Sequence, residues 1–379
     1  MKKSIILLSL TAMLIVLSGC ITQTPVEYSF NPGPPPSSVR TEQWEGFGAP
    51  AAINSTDRRT LDTLETESYP KVLWVIADTY GNSKEMDSEW ASKVPRFFDP
   101  ERLSFVEPEG TPNTEQHWHG FSCYSRGWPL LYSLENVNYV LFRMVDVDEG
   151  QDALIIFLEQ KLKEYNGRVV VSCSWGVPPQ GDSYMDDLYA SIWTPWAEKM
   201  DKLAVDYPSF SIVFSSGNSG PSFSGVPQRL MTNAILVGAT SRLGYIAEFS
   251  SQANSLFCVA GGHRTYVADP SKAGEYMIVS GTSFSCPTVA AMIVKLLAEN
   301  PEWDRAKVLN FLSFQIVPSI DAKGFNTVWG KGELEQFNQT VPLQVWRDLG
   351  YPNGLGARVK NFVTPTRLIE LPEPKTKLP

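Results

Sequence analysis

Histidine is scarce in this chain. It occurs at His117, His119 and His263 in 379 residues, so the search for an imidazole base working near neutral pH is short. Cysteine occurs five times, without the close pairing that zinc sites use. No Asp-rich loop resembles a dedicated calcium site, so the sequence assigns no metal ligands and leaves structural calcium open. Runs of Lys and Arg are missing and the formal charge is -9, which excludes a nucleic-acid partner because phosphate neutralisation needs clustered cations. No internal repeat or heptad pattern is present, so collagen, coiled-coil and low-complexity readings fall away. What remains is 43% hydrophobic and 19% charged, with 27 Gly and 28 Pro, the profile of a globular chain that can bury one large α/β core or two modest ones. A core of that size folds without needing a cofactor.

The first residues read as a targeting segment. Lys2 and Lys3 precede a mostly apolar run from Ile5 to Leu17, followed by Ser18, Gly19 and Cys20. The run is too short for a membrane span, which needs about 20 apolar residues, and has the layout of a secretory signal. Leu17-Ser18-Gly19-Cys20 resembles a bacterial lipobox, which implies lipidation of Cys20. The acidic body would not be drawn to an anionic bilayer, so acyl chains would anchor it, on the extracytoplasmic side of a membrane in the bacterial cell envelope. Residues 20–69 carry Pro32-Gly-Pro-Pro-Pro and little periodicity, which fits an extended tether or a short pro-segment. The other four cysteines, Cys123, Cys173, Cys258 and Cys286, allow up to two disulfides or buried free thiols.

Beyond residue 69, apolar β-branched runs alternate with amphipathic stretches. Val72–Ala77, Tyr139–Val145, Arg168–Cys173, Ser211–Phe214 and Ala234–Val237 predict buried strands. Gln151–Tyr165, with Leu154, Phe157, Leu158 and Leu162 on one face, and Asp186–Val205 predict helices. Alternation of this kind implies βαβ units and a mostly parallel sheet with helices on both faces. Ligands in such sheets bind beyond the carboxyl ends of strands. Asp78, Ser174 and Asn218 fall there.

His119 is followed by Gly120, which permits close approach of a neighbouring element. His263 reads as a loop residue. In the last third, Ser280-Gly-Thr-Ser283-Phe-Ser-Cys-Pro287 opens an apolar helix. A serine at that helix start has an unsatisfied backbone N–H and a positive dipole end beside it, which favours an oxyanion. The alternative is that Thr282 or Ser283 merely caps the helix.

Taken together, Asp78 in Val75-Ile-Ala-Asp-Thr-Tyr-Gly81, His119-Gly120, Gly217-Asn-Ser-Gly220 and Gly281-Thr-Ser-Phe-Ser-Cys-Pro287 resemble the subtilisin-like serine proteases in order and approximate spacing. The resemblance spans roughly residues 69–336. It implies a three-layer α/β sandwich and a triad of Asp78, His119 and Ser283, with Asn218 as oxyanion donor. By the same resemblance Ser174, Trp175 and Gly176 line specificity pockets opposite Ser215, Ser216 and Gly217, with bulky Trp175 narrowing one of them toward small or flat side chains. The implied substrates are peptides or proteins, no cofactor is required for catalysis, and a monomer is expected. The implied organisation is a signal at 1–19, a lipidated tether or pro-segment at 20–69, a catalytic domain at 70–336 and an extension of unknown role at 337–379. A sedolisin-like peptidase would carry Asp where Asn218 stands. The remaining alternative is a catalytically inactive envelope lipoprotein that uses the same fold to bind peptides.

Overall fold

The computed structural model describes residues 70–80, 92, 97–99, 101–108, 118–144, 147–220, 222, 224–240, 246–253, 255–269, 276–317 and 333–334. The expectations for the signal, Cys20, the 20–69 segment, His117 and the 337–379 extension lie outside the described residues.

The core is a nine-stranded sheet. Its strands are β1 (Val72–Asp78), β2 (Leu103–Val106), β3 (Val137–Arg143), β4 (Val169–Cys173), β5 (Ser211–Ser215), β6 (Ala234–Thr240), β7 (Leu256–Gly261), β10 (Ile316–Val317) and β11 (Glu333–Leu334). They lie in the order β10-β11-β7-β6-β5-β4-β1-β3-β2. From β2 across to β7 every neighbouring pair is parallel. Only β10 runs antiparallel, along β11. The separate hairpin of β8 (Thr265–Ala268) and β9 (Tyr276–Val279) is antiparallel.

The parallel strands are buried on both faces, which is why they read as continuous apolar runs. Alternation along β1 sends Val72, Trp74 and Ile76 into one core and Leu73, Val75 and Ala77 into the other, as a two-residue period requires. The first core is closed by α1 (His119–Gly127) and α4 (Thr282–Glu299), which pack against each other. The second is closed by α2 (Val147–Glu164) and α3 (Ser183–Asp206). Helix α5 (Arg305–Gln315) follows α4 and packs on it.

Helices α2 and α3 extend the two predicted from periodicity. Helix α3 begins earlier than expected because the Asp182 side chain accepts from the backbone N–H groups of Tyr184 and Met185, a capping role suited to a short carboxylate. Helix α4 is apolar around nearly its whole circumference, as expected of a helix enclosed by other elements. Its carboxyl end is held by Arg168, which donates to the carbonyl oxygens of Pro301, at 2.7 Å, and Leu297. A cation there complements the helix dipole and satisfies carbonyls that have no partner within the helix.

Candidate active site

The strand order reverses at β1. From there the chain fills one side with β3 and β2 and the other with β4 to β7, which leaves a crevice beyond the carboxyl ends of the strands. Asp78 ends β1, Ser174 follows β4, and Ser215–Asn218 leave β5. These strands are neighbours, so the turns converge.

Two helix amino-termini complete the site. Helix α1 starts at His119 against the end of β1, with the Gly120 N–H donating to Thr79 O at 3.1 Å. A Cβ at position 120 would sit 2.5 Å from the Tyr80 ring and 2.8 Å from Asp78 Cβ. Only glycine permits that approach. His119 Nδ1 lies 2.8 Å from Asp78 Oδ1, and the same oxygen accepts from Thr79 N at 2.7 Å. A carboxylate can only accept, so Nδ1 carries a proton, and in the neutral imidazole Nε2 presents the lone pair.

Burial alone pushes the His119 imidazole down, but the Asp78 carboxylate beside it outweighs that and holds His119 well above the ordinary histidine value of 6.5. Nearby negative charge favours the imidazolium.

Ser283 stands in the first turn of α4, where backbone N–H groups have no acceptor within the helix. Gly281 is the N-cap residue and, as a glycine, offers no side-chain cap of its own. The serine is tied to Ser174 in both directions: its hydroxyl donates to Ser174 O at 3.2 Å, and Ser174 Oγ donates to Ser283 O at 2.9 Å. Cys123 and Phe284 bridge it to the histidine. Cys123 Sγ lies 3.9 Å from His119 Nδ1 and donates to Ser283 O at 3.2 Å, while the Phe284 ring lies 5.5 Å from the imidazole. His119 Nε2 and Asp78 Oδ2 are buried without hydrogen-bond partners, so the serine–histidine bond is not made in this state. Such bonds are commonly loose in a substrate-free enzyme.

Asn218 faces the same turn. Its Oδ1 accepts from Thr282 N and from Thr282 Oγ1, each at 2.9 Å. That commits the amide oxygen and fixes the orientation of the side chain. Thr282 Oγ1 also accepts from Gly217 N at 3.2 Å, and Gly217 has φ of +107°, a conformation that favours glycine. The turn after β5 is therefore stitched to the turn before α4.

Ser174 and Gly217 contact the Thr282–Ser283 pair, and Ser215 and Ser216 are buried beside them. Trp175 is corrected. Its indole is 6% exposed and turned into the second core, with ring centroids 5.5 Å from Trp193, 5.7 Å from Trp196 and 5.2 Å from Phe214. Its Nε1 donates to Ala77 O at 2.9 Å. The residue directly after Ser174 points to the opposite side of the extended backbone, so the indole supports the site from below and narrows no pocket. His263 lies apart, against Phe249 at 5.9 Å.

Three residues near the site are not singled out by the sequence: Cys123, Gln228 and Phe284, the last an unspecified position within the serine motif. Cys123 is four residues after His119 on the same helix face, a spacing that brings side chains together. All four described cysteines are buried and free. Burial pushes the Cys123 thiol up to about 11, so it is neutral at neutral pH and no nucleophile. Ligand atoms of Asp78, His119 and Cys123 lie within 4.8 Å of one another, the one such cluster among the described residues. The carboxylate is already bonded to Nδ1 and the thiol is protonated, which suits proton handling better than metal ligation.

A sequence profile of the subtilase family matches residues 134–328, over half of the chain, and the chain belongs to that family of serine peptidases. Ser283 and Asn218 fall inside the matched segment; Asp78 and His119 precede it. Among solved structures, the fold is similar to a lanthipeptide protease, with 14% identity, 74% of this chain and 88% of that one covered, and a TM-score of 0.54. It is also similar to sphericase, with 17% identity, 72% and 94% covered, and a TM-score of 0.52. A prenylagaramide maturation protease matches with 18% identity, 74% and 94% covered, and a TM-score of 0.50. At these identities the likeness is one of fold. No curated protein sequence matches the chain.

Proposed function

We propose that this subtilase hydrolyses peptide bonds with Ser283 as nucleophile, His119 as general base and Asp78 as the group that orients and charges the base. The observation that carries the reading is the 2.8 Å contact between His119 Nδ1 and Asp78 Oδ1, made by a buried pair drawn from the end of β1 and the start of α1, beside the first turn of α4.

In this mechanism substrate binding releases the Ser283 hydroxyl from Ser174 O and turns it toward His119 Nε2. The imidazole takes the proton as Oγ attacks the carbonyl carbon, and the Asp78 carboxylate stabilises the imidazolium formed. The tetrahedral oxyanion is held by the Asn218 side-chain N–H and the Ser283 backbone N–H. The imidazolium then protonates the leaving amine, and water hydrolyses the acyl-enzyme with the same base. Asn218→Ala is expected to lower kcat by about 10²- to 10³-fold with little change in KM, a size taken from subtilisin, itself a family member. Steady-state kinetics on one peptide checks it; a loss confined to KM speaks against the oxyanion role.

The testing experiment is digestion of a peptide library followed by mass spectrometry of the new termini. Internal cuts support an endopeptidase. One observation favours a second reading, an inactive peptide-binding lipoprotein: Ser283 donates to Ser174 O while His119 Nε2 has no partner. Binding without any cut peptide would support that reading. The lipobox-like sequence before Cys20 supports a lipid anchor at that residue, so Cys20→Ser should move the exported protein from the detergent phase to the aqueous phase on partitioning. A variant still found in the detergent phase contradicts the anchor.

A further inference from the structure

The two walls of the cleft are joined by a residue with no assigned role. Gln228 is 3% exposed, and its Nε2 donates to Trp175 O at 2.8 Å and to Ser215 O at 3.2 Å. One amide group thus ties the strand leaving β4 to the strand leaving β5. Its position follows from the paired backbone just before it: Val177 N donates to Val226 O at 2.7 Å and Val226 N to Val177 O at 3.0 Å. Gly225 makes this pairing possible, since a Cβ there would meet Val177 O at 1.7 Å. Gly176 in turn leaves the space that the amide occupies, because a Cβ at 176 would fall 2.3 Å from Gln228 Nε2 and 2.6 Å from Oε1.

The other half of the amide is unspent. Gln228 Oε1 is buried and has no hydrogen-bond partner, a condition that folded proteins rarely tolerate without a reason. Both walls also touch the nucleophile's turn: Ser174 bonds Ser283, and Gly217 N donates to Thr282 Oγ1. A side chain falling between the walls therefore belongs to the residue whose carbonyl Ser283 attacks.

We propose that Gln228 is a specificity-determining residue, forming the floor of that subsite and offering Oε1 as acceptor to an uncharged donor-bearing side chain such as Ser, Thr, Asn or Gln. This rests on the peptidase reading for its geometry. Nε2 sets the spacing of the walls, and Oε1 reads what enters between them. A substrate without a donor leaves the acceptor as it is and gains nothing from it, whereas a donor satisfies a buried group.

The test uses peptide pairs that differ at the attacked residue by a near-isosteric change, Thr against Val, Ser against Ala and Gln against Met. kcat/KM is measured for the wild type and for Gln228→Met, and Kd for the same peptides is measured on Ser283→Ala, which binds without turnover. The donor-bearing member should be favoured by about 5- to 10-fold in wild-type kcat/KM and in Kd. In Gln228→Met, which keeps the volume and loses both polar atoms, both members should be processed more slowly and the ratio should fall to about one. An equal fall in both members with the ratio unchanged overturns the proposal, because that is what wall spacing alone would produce. A wild type that cuts peptides with no donor preference overturns it without reference to any variant. A donor preference in Kd with no turnover by the wild type supports the Gln228 assignment and defeats the peptidase reading instead.

Discussion

Replacing Ser283 with alanine is expected to lower kcat for peptide hydrolysis by about 10⁶-fold, the size of loss found when a triad serine or histidine is removed from subtilisin, itself a subtilase. The loss is large because without Oγ the imidazole has no serine proton to take and no acyl-enzyme forms. What remains comes from Asn218, the helix terminus and substrate binding, a residual rate about 10³- to 10⁴-fold above water. The fold should survive. Ser283 is 1% exposed, and its hydroxyl makes a hydrogen bond to Ser174 O, but the tie from Ser174 Oγ to the Ser283 backbone carbonyl does not involve the serine side chain. The variant should bind peptides about as tightly as the wild type, measured by Kd against a peptide that the wild type cuts. Loss of binding with kcat would mean that the substitution had collapsed the site.

Asp78→Asn should cost about 10⁴-fold in kcat and also move the pH profile. In the wild type His119 is held above the ordinary value of 6.5, and the Asp78 carboxylate is the largest influence raising it against the effect of burial. The base works only when unprotonated, so wild-type kcat/KM should rise with pH through that elevated value and favour alkaline conditions. Removing the carboxylate lets burial prevail, and the acid limb should move to lower pH even as the plateau falls. A limb that stays in place would mean that Asp78 does not charge the base. The same shift has a consequence for stability. A histidine whose folded pKa lies above its unfolded one stabilises the fold fully below the unfolded value and loses that contribution as pH rises through the folded value. The pH at which the base becomes competent is therefore the pH at which its ion pair with Asp78 ceases to stabilise the fold.

The strands nearest the site were legible because a parallel sheet covered on both faces demands unbroken apolar runs, and β1, β3, β4, β5 and β6 have them. Helix α1 was not. His119-Gly-Phe-Ser-Cys-Tyr-Ser-Arg-Gly127 has glycine near both ends and two serines between, a poor helix former by composition, yet all of it is buried. Tertiary packing between β1 and α4 makes it helical. Strands β2, β8 and β9 are four residues each, too short for periodicity to separate from loop.

Among the site residues, Asp78, His119, Asn218 and Ser283 were singled out by their resemblance, in order along the chain, to the subtilisin-like proteases, and strand ends and helix starts are where a parallel sheet places such groups. Side-chain direction was not available from order. Trp175 follows Ser174 in a segment that borders the cleft, but its indole turns to Phe214 and away from substrate. Gln228 carries no motif, and its place depends on backbone pairing between Val177 and Val226, a contact between segments that helix α3 and strand β5 separate along the chain.

The central claim is that His119 activates Ser283, and a fluorophosphonate probe tests it whatever the natural substrate. The account predicts one covalent adduct per chain, located on Ser283 by peptide mass spectrometry, with a labelling rate that rises with pH as His119 loses its proton and that collapses in His119→Ala. A folded wild-type protein that takes up no probe, or takes it on another residue, would contradict it.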